Sequence, residues 1–99
     1  MTKEMSLRLV SEEIDRATAK FEPFASPHEG YAILLEEVDE LWDEIKYSRV
    51  PSKGIRDESI QVAAMAIRML MDQCDIERVP ELGTWNDNLG AWEPCLDDN

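Results

Sequence analysis

The chain has 99 residues, 43% of them hydrophobic, which suits one folded domain and gives no sign of a second. Its formal net charge of −12 argues against a nucleic acid polymer as partner, because phosphate backbones are bound by clustered lysine and arginine. Cys74 and Cys95 are too few and too far apart for a disulfide framework or a zinc site. With no secretory signal and no run of ~20 apolar residues, we expect a cytoplasmic protein without a membrane partner.

The first predicted helix covers about residues 6–21. Its apolar residues recur at steps of three and four, which indicates one apolar stripe: Leu7, Val10, Ile14, Ala17 and Phe21. The other side of this helix carries polar side chains: Arg8, Glu12, Glu13, Arg16 and Lys20. Pro23 and Pro27 prevent this helix from continuing.

The second predicted helix begins at Pro27 and ends near Tyr47. Ser26 is a suitable N-cap, Pro27 suits the first helical position, and Glu29 stands where a capping box needs its acid. At ~100° per residue, one apolar stripe follows this helix: Tyr31, Leu34, Leu35, Val38, Leu41, Trp42 and Ile45. We expect Trp42 in the core. The acidic stretch 36–44 flanks the stripe.

The third predicted helix covers about residues 55–74, after a loop at 48–54, and is apolar on nearly every side. Such a helix is normally surrounded by others, and three helices supply too few neighbours. We therefore expect an all-α helical domain over residues 1–75, completed as a bundle in a homodimer or homotetramer. The acidic tail, residues 76–99, is expected to pack on its own bundle or on a partner copy. A short helix at about 80–89 is weakly indicated.

Carboxylates on the second and third helices suggest a cation site. Glu37 and Glu40 are one turn apart, and antiparallel packing across the short loop would bring Glu58 and Gln61 opposite them. All four offer oxygen atoms, the ligands that Mg²⁺ and Mn²⁺ prefer. A solvated acidic face is the plain alternative. A di-iron site is disfavoured, since it normally uses Glu-x-x-His pairs and the chain has a single histidine, His28.

The order Glu36-Glu37-x-x-Glu40, a loop, then Glu58-x-x-Gln61 at the head of an apolar helix resembles the MazG-like nucleoside triphosphate pyrophosphohydrolases. Their pattern is Glu-Glu-x-x-Glu followed by Glu-x-x-Asp. The flanking residues look like the small single-domain members, including those of phage genomes, and the resemblance covers about residues 24–70. It implies an all-α, oligomeric, Mg²⁺-dependent enzyme that cleaves a nucleoside triphosphate to the monophosphate and pyrophosphate.

By motif position, the resemblance makes Glu37, Glu40 and Glu58 metal ligands, with Gln61 at the fourth position. Glu36 and Glu37 are the catalytic candidates, with Glu36 expected either to support the metal ligands from behind or to activate the attacking water. Gln61 departs from the family pattern, which has Asp at this position. An amide oxygen can coordinate Mg²⁺, but it contributes no negative charge. Asp57 and Glu44 are candidates to compensate. The departure also keeps open a second function: a non-catalytic helical oligomer of the same fold that binds nucleotide or a protein partner.

Three basic residues, Lys53, Arg56 and Arg68, are candidates to contact triphosphate oxygens, with surface or salt-bridge roles as the alternative. Arg68 is the best of them, because a charge on so apolar a helix needs a partner. Several aromatic side chains offer stacking surfaces for a base, although aromatics at helical spacing are more often core: Phe24, Tyr31, Trp42 and Trp85.

Overall fold

The computed structural model describes residues 1–74, 78–79 and 82–94. Three helices account for 71% of the structure, which confirms the predicted helical character of the chain. A small antiparallel sheet follows them. The elements are α1 (Lys3–Lys20), α2 (Pro27–Tyr47), α3 (Pro51–Gln73), β1 (Arg78–Val79), β2 (Gly83–Asn86) and β3 (Ala91–Glu93).

Local capping determines where the helices begin. In α2, the Ser26 Oγ accepts a hydrogen bond from the Glu29 N–H at 3.1 Å, and the Glu29 carboxylate accepts one from the Ala25 N–H at 3.0 Å. These bonds place the start of α2 at Pro27, and the helix ends at Tyr47, so both predicted bounds of α2 are confirmed. The other two helices begin earlier than expected. Thr2 caps α1 by accepting from the Met5 N–H, and Pro51 takes the first position of α3, where a missing N–H costs nothing.

Helix α3 lies at the centre of the helical part and contacts both α1 and α2. Among the described residues, only four hydrophobic side chains are buried: Ala17, Phe24, Ala64 and Met65. The Cα radius of gyration is 16.5 Å, against ~13 Å for a compact chain of ~100 residues. One copy of the chain therefore has a small core and an elongated shape.

Side chains near the end of α3 hold the connection between α1 and α2. The Asp72 carboxylate accepts from the Phe24 N–H at 2.8 Å, and the Gln73 amide donates to the Phe24 carbonyl at 2.7 Å. About one helical turn earlier on α3, the Arg68 guanidinium donates a hydrogen bond to the Glu22 carbonyl at 3.1 Å. These bonds fix residues 22–24 over the end of α3, where they form one wall of a cleft.

Most of the predicted apolar stripe on α2, five of its seven residues, is not covered within one chain. Five large side chains at alternating spacings of four and three are at least 41% exposed, and together they form the exposed α2 stripe: Tyr31, Leu35, Val38, Trp42 and Ile45. The expectation that Trp42 lies in the core is wrong for the single chain, because its side chain is 54% exposed. Leu34 and Leu41, on the side towards α3, are half-buried.

The described part of the tail is β-structure, with the strand order β1-β2-β3. Trp85 and Trp92 are cross-strand partners, with ring centroids 5.3 Å apart in an edge-to-face arrangement. The short helix expected at about 80–89 is wrong, because β2 and a turn occupy residues 83–90. Among the described elements, no helix contacts the sheet, and packing of the tail on a partner copy stays a prediction.

Residues 75–77, 80–81 and 95–99 of the predicted tail lie outside the described residues, as does Cys95. Cys74 is an exposed free thiol. None of the described helices combines the length and the apolar character that a membrane crossing requires.

Candidate metal centre and adjoining cleft

The packing of α2 against α3 brings three of the predicted ligands together. Glu37 and Glu40, one turn apart on α2, meet Glu58 from the first half of α3. Each offers one carboxylate oxygen, and these oxygens all lie within 4.8 Å of one another. We call Glu37, Glu40 and Glu58 the glutamate triad. Glu40 is exposed, whereas the other two are half-buried.

Two oxygens of the glutamate triad are buried without a partner. Among the described residues, no donor reaches Glu37 Oε2 or Glu58 Oε2. Burial, a hydrogen bond shared with the Glu58 carboxyl and the charge of Glu40 raise the pKa of Glu37 to about 7. Burial also raises the pKa of Glu58, and the neighbouring Glu40 adds to that rise. Near neutral pH the triad therefore needs either a proton or a cation.

The donor set fits a hard divalent cation. Opposite oxygens around Mg²⁺ are ~4 Å apart and around Ca²⁺ ~5 Å, close to the spread of the glutamate triad. A cation at this point would satisfy the two orphaned carboxylate oxygens and remove the repulsion among three like charges. Glu37, Glu40 and Glu58 are therefore the residues that could hold it.

Gln61 lies beside the glutamate triad and also contacts α1. Its half-buried side chain lines the cleft together with Glu37. The pKa of Glu13 is lowered first by its hydrogen bond to Arg16, and the nearby Gln61 amide lowers it further. A carboxylate at position 61 would instead face Glu13 as a like charge. Sequence periodicity placed Glu13 and Arg16 on the outer face of α1, so this contact was not predicted.

Glu36 does not belong to the glutamate triad. Nor do Asp57 and Glu44, the two residues suggested to compensate for the charge that Gln61 does not supply. Glu36 is exposed, ~100° around α2 from Glu37. Asp57 accepts hydrogen bonds from Lys53 at 2.9 Å and Arg56 at 3.1 Å, and these lower its pKa.

Glu44 is the nearer of the two suggested replacements. Its carboxylate packs against Gly54, where a Cβ would collide with it, and its charge helps to raise the pKa of Glu58. Gly54 thus leaves room for the Glu44 carboxylate beside the triad.

The predicted substrate-binding cations fall into two groups. Lys53 and Arg56 are exposed and paired with Asp57, and Arg56 lines a separate cleft that includes Val10 of α1. The structure does not bring these two to the glutamate triad. Arg68, by contrast, lines the same cleft as Glu37 and Gln61.

The cleft that adjoins the triad has a volume of about 550 Å³ and lies between α1, residues 21–24, α2 and α3. Arg68 is 4% exposed, and its guanidinium carbon lies 4.4 Å from the centroid of the Phe24 ring. Its Nε has no partner among the described residues. We call this space the Arg68 cleft. Phe24 follows Pro23 in a connecting segment, so its sequence gave no signal of this role beyond its aromatic character.

We predict that the metal-free protein loses stability as the pH rises. The folded-state pKa of Glu37, about 7, lies above its ordinary value of 4.5, so its stabilising contribution is complete below ~4.5 and is lost as the pH rises through 7. The melting temperature, measured with a chelator present, should fall between about pH 5 and pH 8, and Mg²⁺ should restore it at pH 8.

The matched variants for this experiment are Glu37→Gln and Asp39→Asn. Glu37→Gln should remove most of the pH dependence, whereas Asp39→Asn, on an exposed part of the same helix, should retain it. Equal pH dependence in the wild type and in Glu37→Gln would contradict the assignment of the raised pKa to this carboxyl group.

Comparison of the chain with protein-family models, with curated proteins and with solved structures gave no match. The resemblance to the MazG-like enzymes therefore rests on the motif residues alone.

Proposed function

We propose that the protein is an Mg²⁺-dependent nucleoside triphosphate pyrophosphohydrolase of the MazG-like kind, cleaving a (deoxy)nucleoside triphosphate to the monophosphate and pyrophosphate in the cytoplasm. The observation that carries the proposal is the glutamate triad at one side of a 550 Å³ cleft, with two buried oxygens that have no partner among the described residues. Ligand sites usually have ~300–1,000 Å³, so the cleft is large enough for a nucleotide.

Each acidic residue has a proposed role. Glu37, Glu40 and Glu58 hold Mg²⁺, and Mn²⁺ would suit the same oxygen donors. The cation supplies charge neutralisation at the phosphate oxygens and an oriented water. Glu36 is exposed and has no ion pair in the described part of the chain, so it is able to take a proton from water at the shoulder of α2.

Among the basic residues, Arg68 is the best supported as a substrate contact, because it shares the cleft with Glu37. Lys53 and Arg56 would have to release Asp57 before either could bind a phosphate oxygen. We retain both as candidates of lower rank. The second candidate function, a non-catalytic nucleotide-binding or protein-binding oligomer, is favoured by one feature: Gln61 adds no charge to the triad, and its amide lies near Glu13.

We also propose that the protein functions as a homo-oligomer in which a second copy covers the exposed α2 stripe. Its spacing of four and three residues is that of a coiled-coil seam, in which two helices bury such positions against each other. The small core of the single chain supports this assembly. A homodimer would cover the exposed α2 stripe. A homotetramer would also cover Leu70 and Met71 on α3, whose side chains are 62% and 56% exposed.

Our first prediction for this function is release of pyrophosphate from a panel of nucleoside triphosphates with Mg²⁺. Glu37→Gln and Glu58→Gln should each lower kcat/KM by ~100-fold or more, since even residues that only orient metal ligands contribute ~10–100-fold. Asp39→Asn is the control and should stay within a few fold of the wild type. If turnover survives in both triad variants, the proposed reaction does not occur at this site. If the wild type turns over no triphosphate, the proposed reaction is ruled out altogether.

The Gln61→Asp variant tests the departure from the family pattern. An added carboxylate beside Glu37 should tighten Mg²⁺ binding by ~10-fold, measured by calorimetry, because a charged oxygen donor replaces a neutral one. The same variant should lower the melting temperature of the metal-free protein, since the added carboxylate would face Glu13 as a like charge. Gln61→Ala is the matched control and should not tighten binding. Unchanged Mg²⁺ affinity in Gln61→Asp would place position 61 outside the metal centre.

The assembly is tested by Trp42→Glu in the exposed α2 stripe. A charge at the centre of a buried seam should shift the protein towards the monomer, detected by light scattering after size-exclusion chromatography. Leu7→Glu, at a side chain of similar exposure on α1, is the control and should leave the assembly intact. If Trp42→Glu and the wild type have the same mass, the stripe is not the interface.

A further inference from the structure

Arg68 is a buried cation without an anionic partner. In the described part of the chain its contacts are all with neutral groups: the Glu22 carbonyl at 3.1 Å, the Met65 sulfur at 3.7 Å and the face of the Phe24 ring. Its Nε is buried and has no hydrogen-bond partner within the described ranges of the chain. Buried charges are normally paired, and an orphaned donor on one is costly. Because Arg68 lines the cleft, a ligand there could supply the missing acceptor.

The position of Arg68 along α3 shows which end of a nucleotide it could meet. Glu58, Gln61, Met65 and Arg68 recur at steps of three and four, so they share one face of the helix. At ~1.5 Å per residue, Arg68 lies ~15 Å along α3 from Glu58 of the triad. The backbone of Arg68 therefore lies well along α3 from the cation position, on the side of the cleft into which the nucleoside end of a bound nucleotide would extend.

The walls of the Arg68 cleft also suit a nucleobase better than a second anion. Ala17, Ile33 and Met65 contribute apolar surface, and Phe24 holds the guanidinium plane from one side. Ligand pockets commonly combine such apolar walls with a few polar groups that fix orientation. The Arg68 guanidinium is the polar group available here, because in the described part of the chain only two of its five N–H donors have hydrogen-bond partners.

We propose that the Arg68 cleft binds the base of the substrate and that Arg68 selects bases with a keto oxygen over adenine. This inference rests on the proposed function for the identity of the substrate. A guanidinium group only donates hydrogen bonds, so a keto oxygen of guanine, thymine or uracil is a matching acceptor. Adenine carries an amino group, itself a donor, where guanine has its O6. Two donors facing each other in a buried site leave both unsatisfied, which disfavours adenine.

Inosine and adenosine provide the sharpest test, because inosine has a keto oxygen where adenosine has the amino group. Both are uncharged, so binding can be measured by calorimetry or ligand-observed NMR with a chelator present, independently of metal and turnover. The wild type should bind inosine about 10- to 100-fold more tightly than adenosine, the range expected for one hydrogen bond to a charged group. Equal affinities, or no binding of either nucleoside, would overturn the inference.

Two variants assign the preference to Arg68. Arg68→Met preserves length without donors and should reduce the ratio of affinities to about one. Arg16→Met is the matched control: Arg16 lines the same cleft, but its side chain is 54% exposed and pairs with Glu13, so the preference should persist. If Arg68→Met fails to fold, as judged by circular dichroism, Arg68→Lys takes its place and should lower the ratio. A ratio unchanged in the folded Arg68 variant would overturn the inference.

Failure of this inference can be distinguished from failure of the proposed function. If the protein releases pyrophosphate but its nucleoside binding shows no keto preference, the proposed hydrolase activity stands and the proposed role of Arg68 is rejected. A keto preference that depends on Arg68, in a protein that releases no pyrophosphate, would retain the base site and reject the hydrolase.

Discussion

The repulsion among three carboxylates at the contact of α2 with α3 is the constraint on which the rest of the structure depends. The short connection between these helices forces them to lie side by side, and that packing brings Glu58 to Glu37 and Glu40. Half-burial then makes the charges of Glu37 and Glu58 costly, so their pKa values rise. The same packing that forms the helical domain therefore creates a need for protons or a cation, which links stability to ligand binding.

Helix α3 connects the two ends of the candidate site. Its first half supplies Glu58 and Gln61, and its second half supplies Arg68. Its end also holds the segment 22–24 through Asp72 and Gln73, and that segment carries Phe24 into contact with Arg68. Because one rigid helix carries both groups, the spacing between the glutamate triad and the Arg68 cleft is fixed by helical geometry rather than by loops.

Structural features that depend on residues close together in the sequence could be predicted, whereas several features that depend on how the helices pack could not. The start of α2 followed from Ser26, Pro27 and Glu29, whose capping bonds are local. The start of α3 was misplaced, because Pro51 resembles a loop residue until it is seen at the first helical position. The triad was predictable from spacing on two adjacent helices. Glu13 was not, since only packing turns it from the outer face of α1 towards Gln61. The sheet was missed because its strands are short.

The exposed α2 stripe lies so close to the glutamate triad that the proposed assembly and the proposed metal binding would influence each other. Around α2, the half-buried Leu34 and Leu41 separate the stripe from Glu37, which faces α3. A second copy over the stripe would exclude water from this side of the helix and lower the local dielectric. Uncompensated charge on the triad would then cost more, and a bound cation would be favoured more strongly. By linkage, a cation that binds the assembled form more tightly must also stabilise the assembly.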